Sequence, residues 1–209
     1  MDSKKFADKL MPFLEKHNKY TDKERIVVHY GLETLYVNIS KAIIITIFSL
    51  FLGITLEMYC FIFVYGLLRT YMGGIHLKTS LGCTVFSGTI FIIPTIISLN
   101  VDIFLQIGIF IILFGLFIAY KYSPADTSRK PILNKDLRKR RKKISCILIS
   151  IYFVIYILKL NVVLNNFIVF AVLINSIIIH PITYKLMKQN YNNYLIYENM
   201  KKEEKQWIF

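Results

Sequence analysis

The sequence predicts an all-α, polytopic integral membrane protein of about six transmembrane helices. Three observations carry that reading. The 209 residues are 55% hydrophobic and their mean hydropathy is +0.50, which is more apolar than an ordinary soluble domain. The apolar residues fall in long runs with room for spans of about 20 residues each. The net charge of +13 is clustered: of 26 Lys and Arg, eight lie in residues 1–41, ten in 121–143 and five in 185–209. Those clusters flank the apolar runs. The positive-inside rule therefore accounts for them better than nucleic acid does, and no nucleic-acid partner is expected.

The elements follow in order. Residues 1–38 form a cytoplasmic, interfacial N-terminal section. Within 1–26, Phe6, Leu10, Phe13 and Leu14 recur at helical spacing among many lysines, the pattern of an amphipathic helix. Residues 1–25 are charged throughout, so no cleavable signal peptide is expected. Residues 39–68 are almost continuously apolar, too long for one untilted span, and Gly53, Thr55 and Glu57 interrupt the middle. The segment reads either as one tilted helix or as a hairpin turning near Gly53–Glu57. Both flanks are basic. If both are cytoplasmic, the segment crosses twice, which favours the hairpin.

Residues 81–120 form a second hairpin around the short turn Asn100-Val-Asp102, and 121–143 a basic cytoplasmic loop. Residues 144–184 form a third hairpin turning at Lys159-Leu-Asn161, and 185–209 a basic cytoplasmic tail. Both termini are then cytoplasmic in a multi-pass protein of the cell membrane, embedded in lipid. The two later hairpins share a design but show no residue-level repeat.

Between the first two hairpins, residues 69–80 form a polar island that runs on to Cys83: Arg69-Thr-Tyr-Met-Gly-Gly-Ile-His76, then Lys78, Ser80 and Cys83. Polar, ionisable and Gly-rich sequence is costly near hydrocarbon and marks function. A His with a Cys is the minimal equipment of a thiol nucleophile and its base. On one straight helix the seven-residue separation would hold the two Cα atoms roughly 10 Å apart. The chain must therefore bend, and Gly73-Gly74 and Gly82 permit it. Thr79 or Ser80 is a natural N-cap for a helix beginning near Leu81. Cys83 would lie in its first turn, where the helix dipole favours a thiolate and free N–H groups could form an oxyanion hole. Arg69 and Lys78 are nearby cations that could favour the thiolate or hold a substrate carboxylate.

The bland alternatives are a small hydrophobe for Cys83 and a satisfied polar residue for His76. Cys60 and Cys146 lack comparable neighbours and read as packing residues, and His17, His29 and His180 as structural or interfacial ones. An odd number of cysteines beside spans argues against a disulfide framework. No clustered His/Cys/Asp set suggests a metal, and no cofactor is expected. A carboxylate to orient His76 would complete a triad. Glu33, at the cytoplasmic entrance of the first span, is the candidate on the correct side; a salt bridge to Arg69 is its structural alternative. Asp126 in Ser-Pro-Ala-Asp is another candidate. Glu57, in an outside turn, is not on that side.

The residues Tyr30-Gly-Leu-Glu33, Arg69 to His76 with Cys83, Tyr122-Ser-Pro-Ala-Asp126 and Lys130-Pro131-Ile132 before the basic run resemble, in that order, the accessory gene regulator B (AgrB) family. These are integral-membrane cysteine peptidases of Gram-positive bacteria, and the resemblance covers essentially the whole chain. It implies that Cys83, deprotonated by His76, attacks a backbone carbonyl of a small precursor peptide of a quorum-sensing system. The C-terminal tail leaves. A Cys or Ser within the substrate then takes the acyl group from the thioester, closing a thiolactone or lactone ring. It also implies a precursor with an amphipathic leader and an acidic tail, which would be drawn to the basic run, and a homodimer. The third catalytic group stays open between Glu33, a backbone carbonyl and none. A small transporter or channel without covalent chemistry is the competing reading, and a non-catalytic scaffold a third.

Overall fold

The computed structural model describes residues 3–75, 79–128 and 131–199. They form eight helices: α1 (Ser3–His17), α2 (Asp22–Leu52), α3 (Thr55–Met72), α4 (Ser80–Asn100), α5 (Leu105–Tyr122), α6 (Lys135–Ile157), α7 (Val162–Ile179) and α8 (Pro181–Leu186). Among the described residues there is no strand, only an isolated bridge between Gly73 and Ala125. The protein is an all-α membrane protein. Six spans are the expectation from the sequence, but four helices are long and apolar enough to cross a membrane: α2, α4 from Leu81, α5 and α7. The two missing from that set have clear reasons. Helix α3 dilutes its apolar run with Glu57, Arg69 and three tyrosines, and α6 opens on the basic run.

That second reason revises the reading of 121–143 as a loop. From Lys135 onward it is the first part of α6. Asn134 caps the helix, its side chain accepting from the N–H groups of Asp136 (2.8 Å) and Leu137 (3.1 Å). Lys and Arg are good helix formers once a cap fixes the start. The N-terminal section also divides. Helix α1 ends at His17, and α2 starts afresh behind a capping box in which Thr21 and Glu24 satisfy each other's N–H groups. Helix α1 folds back on α2 through Asp8–His29 (2.8 Å) and Glu15–Arg25 (2.8 Å).

Within 39–68 the chain breaks at Gly53. Its φ of 68° is left-handed, and its N–H caps the end of α2 on Leu50 O (3.1 Å). The two arms are laced by Thr46–Tyr59 (2.6 Å) and Ser49–Thr55 (3.1 Å) hydroxyl contacts, which satisfy polar side chains where hydrocarbon offers no partner.

Helices α3 and α7 form the centre. Their contact faces carry Phe61, Leu68, Ile168, Val172 and Ile179, all buried. In α7, 61% of the span is enclosed by protein, against 11% in α2. Helix α7 is therefore the hub, and α2 presents most of its surface outward. Helix α4 packs on α2, α3 and α7, whereas α6 packs on α3, α5 and α7, and α5 on α6 and α7. Polar side chains tie the hub in place. Asn166 donates to Ser98 O (3.1 Å) and Val101 O (2.6 Å), fixing the turn after α4, and Asn175 donates to Tyr65 O (3.3 Å) on α3.

Candidate active site

Helix α3 runs into the polar island and stops at Gly73. Arg69, in its last turn, reaches past that end to two carbonyls of the segment that follows. Nη1 donates to Gly73 O (2.5 Å) and Nη2 to Ile75 O (2.6 Å). The guanidinium fork spans both acceptors at once, a geometry lysine cannot match. Arg69 thus holds backbone, and the Glu33 partner considered for it goes elsewhere. Gly73 (φ 71°) and Gly74 (φ 117°) then turn the chain alongside Ala125. Gly74 N donates to Ala125 O (2.9 Å), and Ala125 N to Met72 O (2.9 Å). The turn leaves no space for a side chain. A Cβ on Gly73 would collide with Ala125 O, and one on Gly74 with Arg69 Nη1 and with Ile178 Cγ2 at 2.6 Å.

Asp126 follows directly. It is buried, and both carboxylate oxygens are occupied. Oδ1 accepts from Asn193 N (2.8 Å) and Asn193 Nδ2 (3.3 Å), and Oδ2 from Tyr194 N (3.0 Å) and Ile132 N (3.4 Å). The structure uses Asp126 as an anchor for the segment after α8. Tyr184 Oη donates to Asp126 O (2.8 Å) and Tyr191 Oη to Tyr122 O (3.0 Å). Burial pushes both phenols well above their ordinary range, so both stay protonated and donate.

On the other side of the island, Thr79 caps α4, its hydroxyl accepting from Gly82 N (3.2 Å). Cys83 sits at the end of the first turn, its own N–H bonded to Thr79 O (3.0 Å). The N–H groups of Gly82 and Cys83 are therefore committed, which leaves those of Ser80 and Leu81 as the first-turn donors for an oxyanion. Cys83 is half-buried and unoxidised, as is Cys146, while Cys60 is exposed and also free. Among the described residues a charged neighbour stands beside the thiol: Lys41 Nζ, on α2, lies 3.8 Å from Cys83 Sγ.

Lys41 was missed by sequence reasoning, which counted it only as one of the N-terminal cations. No local signal could have found it, because 42 residues separate it from Cys83. Glu33 lies eight residues earlier on α2, about 12 Å along the axis, and pairs with His29 Nδ1 (3.2 Å). His180 caps α8 through Nδ1, which accepts from Ile182 N (3.3 Å). His76 and Lys78 lie outside the described residues, as do the side chains of Ser80 and His17. Among the described residues no group of His, Cys, Asp and Glu is placed to hold a metal.

Comparison with known proteins bears on this arrangement. The accessory gene regulator B family matches residues 4–184. The chain belongs to that family. An AgrB-like protein of Clostridium acetobutylicum is 29% identical over 201 residues, covering 95% of each chain. AgrB-like proteins of Listeria innocua (31% over 197 residues, 92% of this chain and 95% of the relative) and of Clostridium perfringens (33% over 153 residues, 70% and 72%) are also similar. No solved structure matches the chain. Membership ties this AgrB homologue to the accessory gene regulator system, and the apolar helices fit a membrane location.

Proposed function

We propose that this AgrB family member is a multi-pass membrane cysteine endopeptidase that trims and cyclises a quorum-sensing precursor peptide at a cytoplasmic-side site. The observation that carries the reading is the setting of Cys83: the first turn of a capped helix, with the Lys41 ammonium 3.8 Å from its sulfur. Family membership and the His76-to-Cys83 spacing support it.

In this mechanism His76 takes the thiol proton and Cys83 Sγ attacks the carbonyl carbon at the junction of ring and tail. The tetrahedral oxyanion is met by the N–H groups of Ser80 and Leu81. The C–N bond breaks, the tail amine leaves with the proton from His76, and a thioester remains. A Cys thiol or Ser hydroxyl of the substrate then attacks that thioester, giving up its proton. The C–Sγ bond breaks and the ring closes. Thioester exchange to a thiolactone is nearly isoenergetic, so the second step needs positioning and dryness more than driving force. Both termini lie in the cytoplasm, where the newly made precursor with its amphipathic leader and acidic tail approaches. The working form is a homodimer.

The test is co-expression with a candidate precursor peptide, sought in a neighbouring short reading frame with a central Cys or Ser and an acidic end, and mass spectrometry of the product. The wild type yields a tail-less peptide one water lighter than its linear form; Cys83→Ala and His76→Ala yield only intact precursor. A linear product would sink the cyclisation step and leave proteolysis standing. Undiminished processing or export in Cys83→Ala would instead favour a transporter without covalent chemistry.

A further inference from the structure

The basic run of α6 includes six consecutive cations, Arg138 to Lys143, which go round the helix, and part of it faces a groove. Lys135, Arg138, Lys139 and Lys142 stand at i, i+3, i+4 and i+7, one stripe of a 3.6-residue helix. That stripe lines a groove of about 330 Å³ shared with Lys121, at the end of α5, and with Tyr122 and Tyr191. A topology signal needs cations on the cytoplasmic side but no particular face. Like charges at i,i+4 repel, so the four cations gathered on the groove carry a cost that a bound anion would remove. Among the described residues one member is neutralised: Arg138, which pairs with Glu198 (2.7 Å) and lies over the Tyr194 ring (3.8 Å). Lys121, Lys135, Lys139 and Lys142 have no ion-pair partner among the described residues.

The chemistry of the anion is indicated by what adjoins the groove. Phe110, Phe114, Phe117 and Lys121 stand at i, i+4, i+7 and i+11 on α5, again one stripe. All three phenylalanines are exposed, at 69%, 51% and 56%. Phe110 and Phe114 stack (6.1 Å), and Lys121 Nζ lies 6.0 Å from the Phe117 ring and 5.3 Å from Tyr122. An apolar ridge therefore rises along a membrane span and ends in a pocket of cations. A soluble acidic peptide would use the cations and leave the ridge idle. A lipid with an anionic head uses both. The groove also lies on the α5–α6 flank of the α3–α7 centre, whereas Cys83 lies on α4 beside α2.

We infer that this groove is a binding site for an anionic phospholipid, its phosphate among Lys121, Lys135, Lys139 and Lys142 and its acyl chains along the Phe110–Phe117 ridge. The site does not depend on the peptidase reading. The test is native mass spectrometry of the full-length protein in detergent with added phosphatidylglycerol or phosphatidylcholine. Phosphatidylglycerol is retained through delipidation and phosphatidylcholine is not. Lys139→Gln/Lys142→Gln lowers that retention about fivefold or more, while Arg140→Gln/Lys143→Gln, which removes the same charge off the groove, changes it less than about twofold. Equal losses in the two double variants would overturn the site in favour of diffuse charge. Equal retention of the two lipids would overturn it as well, and so would an oligoglutamate peptide binding through Lys139 and Lys142 where phosphatidylglycerol does not. If the groove variant does not fold, Lys139→Gln against Arg140→Gln gives the same comparison with one charge each.

Discussion

The two ends of the polar island are built differently. Residues 69–75 are fastened on several sides: the Arg69 fork on two carbonyls, the paired N–H···O bonds with Met72 and Ala125, and Ile178 packed against Gly74. Behind them Asp126 gathers four N–H donors from distant chain. At the other end, among the described residues, Thr79–Cys83 is held by the Thr79 hydroxyl cap, the Cys83 N to Thr79 O bond and the Lys41 contact. The contrast suggests a division of labour. If Cys83 is the nucleophile we propose, one end is a fixed wall against which substrate can be positioned, and the other carries the group that attacks, holds an acyl group and lets it go.

The heaviest blow to the fastened end falls on Asp126. Asp126→Ala leaves three backbone N–H groups buried without an acceptor, and hydrogen bonds to a charged group are worth about 1.5–3 kcal/mol each before compensation. We expect a loss of about 3 kcal/mol or more, read as a lowered thermal midpoint in detergent. Trypsin should also cut much faster at Lys188. A variant with the wild-type midpoint and cleavage rate would show that the tail is held by something else. Gly74→Ala comes next. Its φ of 117° disfavours any side chain and the new methyl meets Ile178 and Arg69, so about 2 kcal/mol is expected. Gly31→Ala, where nothing lies within 4 Å, is the control and should be neutral or better. A neutral Gly74→Ala would mean that the wall gives way without cost.

Arg69→Lys is milder. It keeps the charge but reaches one of the two carbonyls, so about 1 kcal/mol is expected, with precursor processing reduced more than stability. If processing is untouched, the fork matters to folding alone.

Much of this was readable along the chain. Gly53 ends a helix because an apolar run cannot turn without a left-handed residue, and Thr79 starts one because a polar cap precedes an apolar run. Those are local facts and leave local marks. The functions of Asp126, Lys41 and the segment around Asn193 are not local. Asp126 lies 67 residues from Asn193, and its role comes from where α8 delivers the tail. The α6 start was hidden for a different reason: a dense basic run resembles a loop until its Asn134 cap is seen to work. His76, the residue that the motif marks most strongly, lies outside the described residues, so its partnership with Cys83 rests on spacing and family.

The smallest effect belongs to the lightly held end. Lys41 is only partly buried, so water screens it and its contact with Cys83 is a weak one. With Cys60 and Cys146 replaced by alanine, iodoacetamide at neutral pH reports on Cys83 alone. Lys41→Met should slow alkylation about threefold to fivefold, and Lys41→Arg should restore most of it, because a cation rather than an ammonium is what the sulfur needs. The difference should shrink in high salt, as screening predicts for an exposed pair. A rate unchanged in Lys41→Met would remove lysine from the nucleophile's environment and leave thiolate formation to His76 and the helix start. A rate lost equally in Lys41→Arg would mean that the side chain acts by packing on α4, and that its charge is incidental.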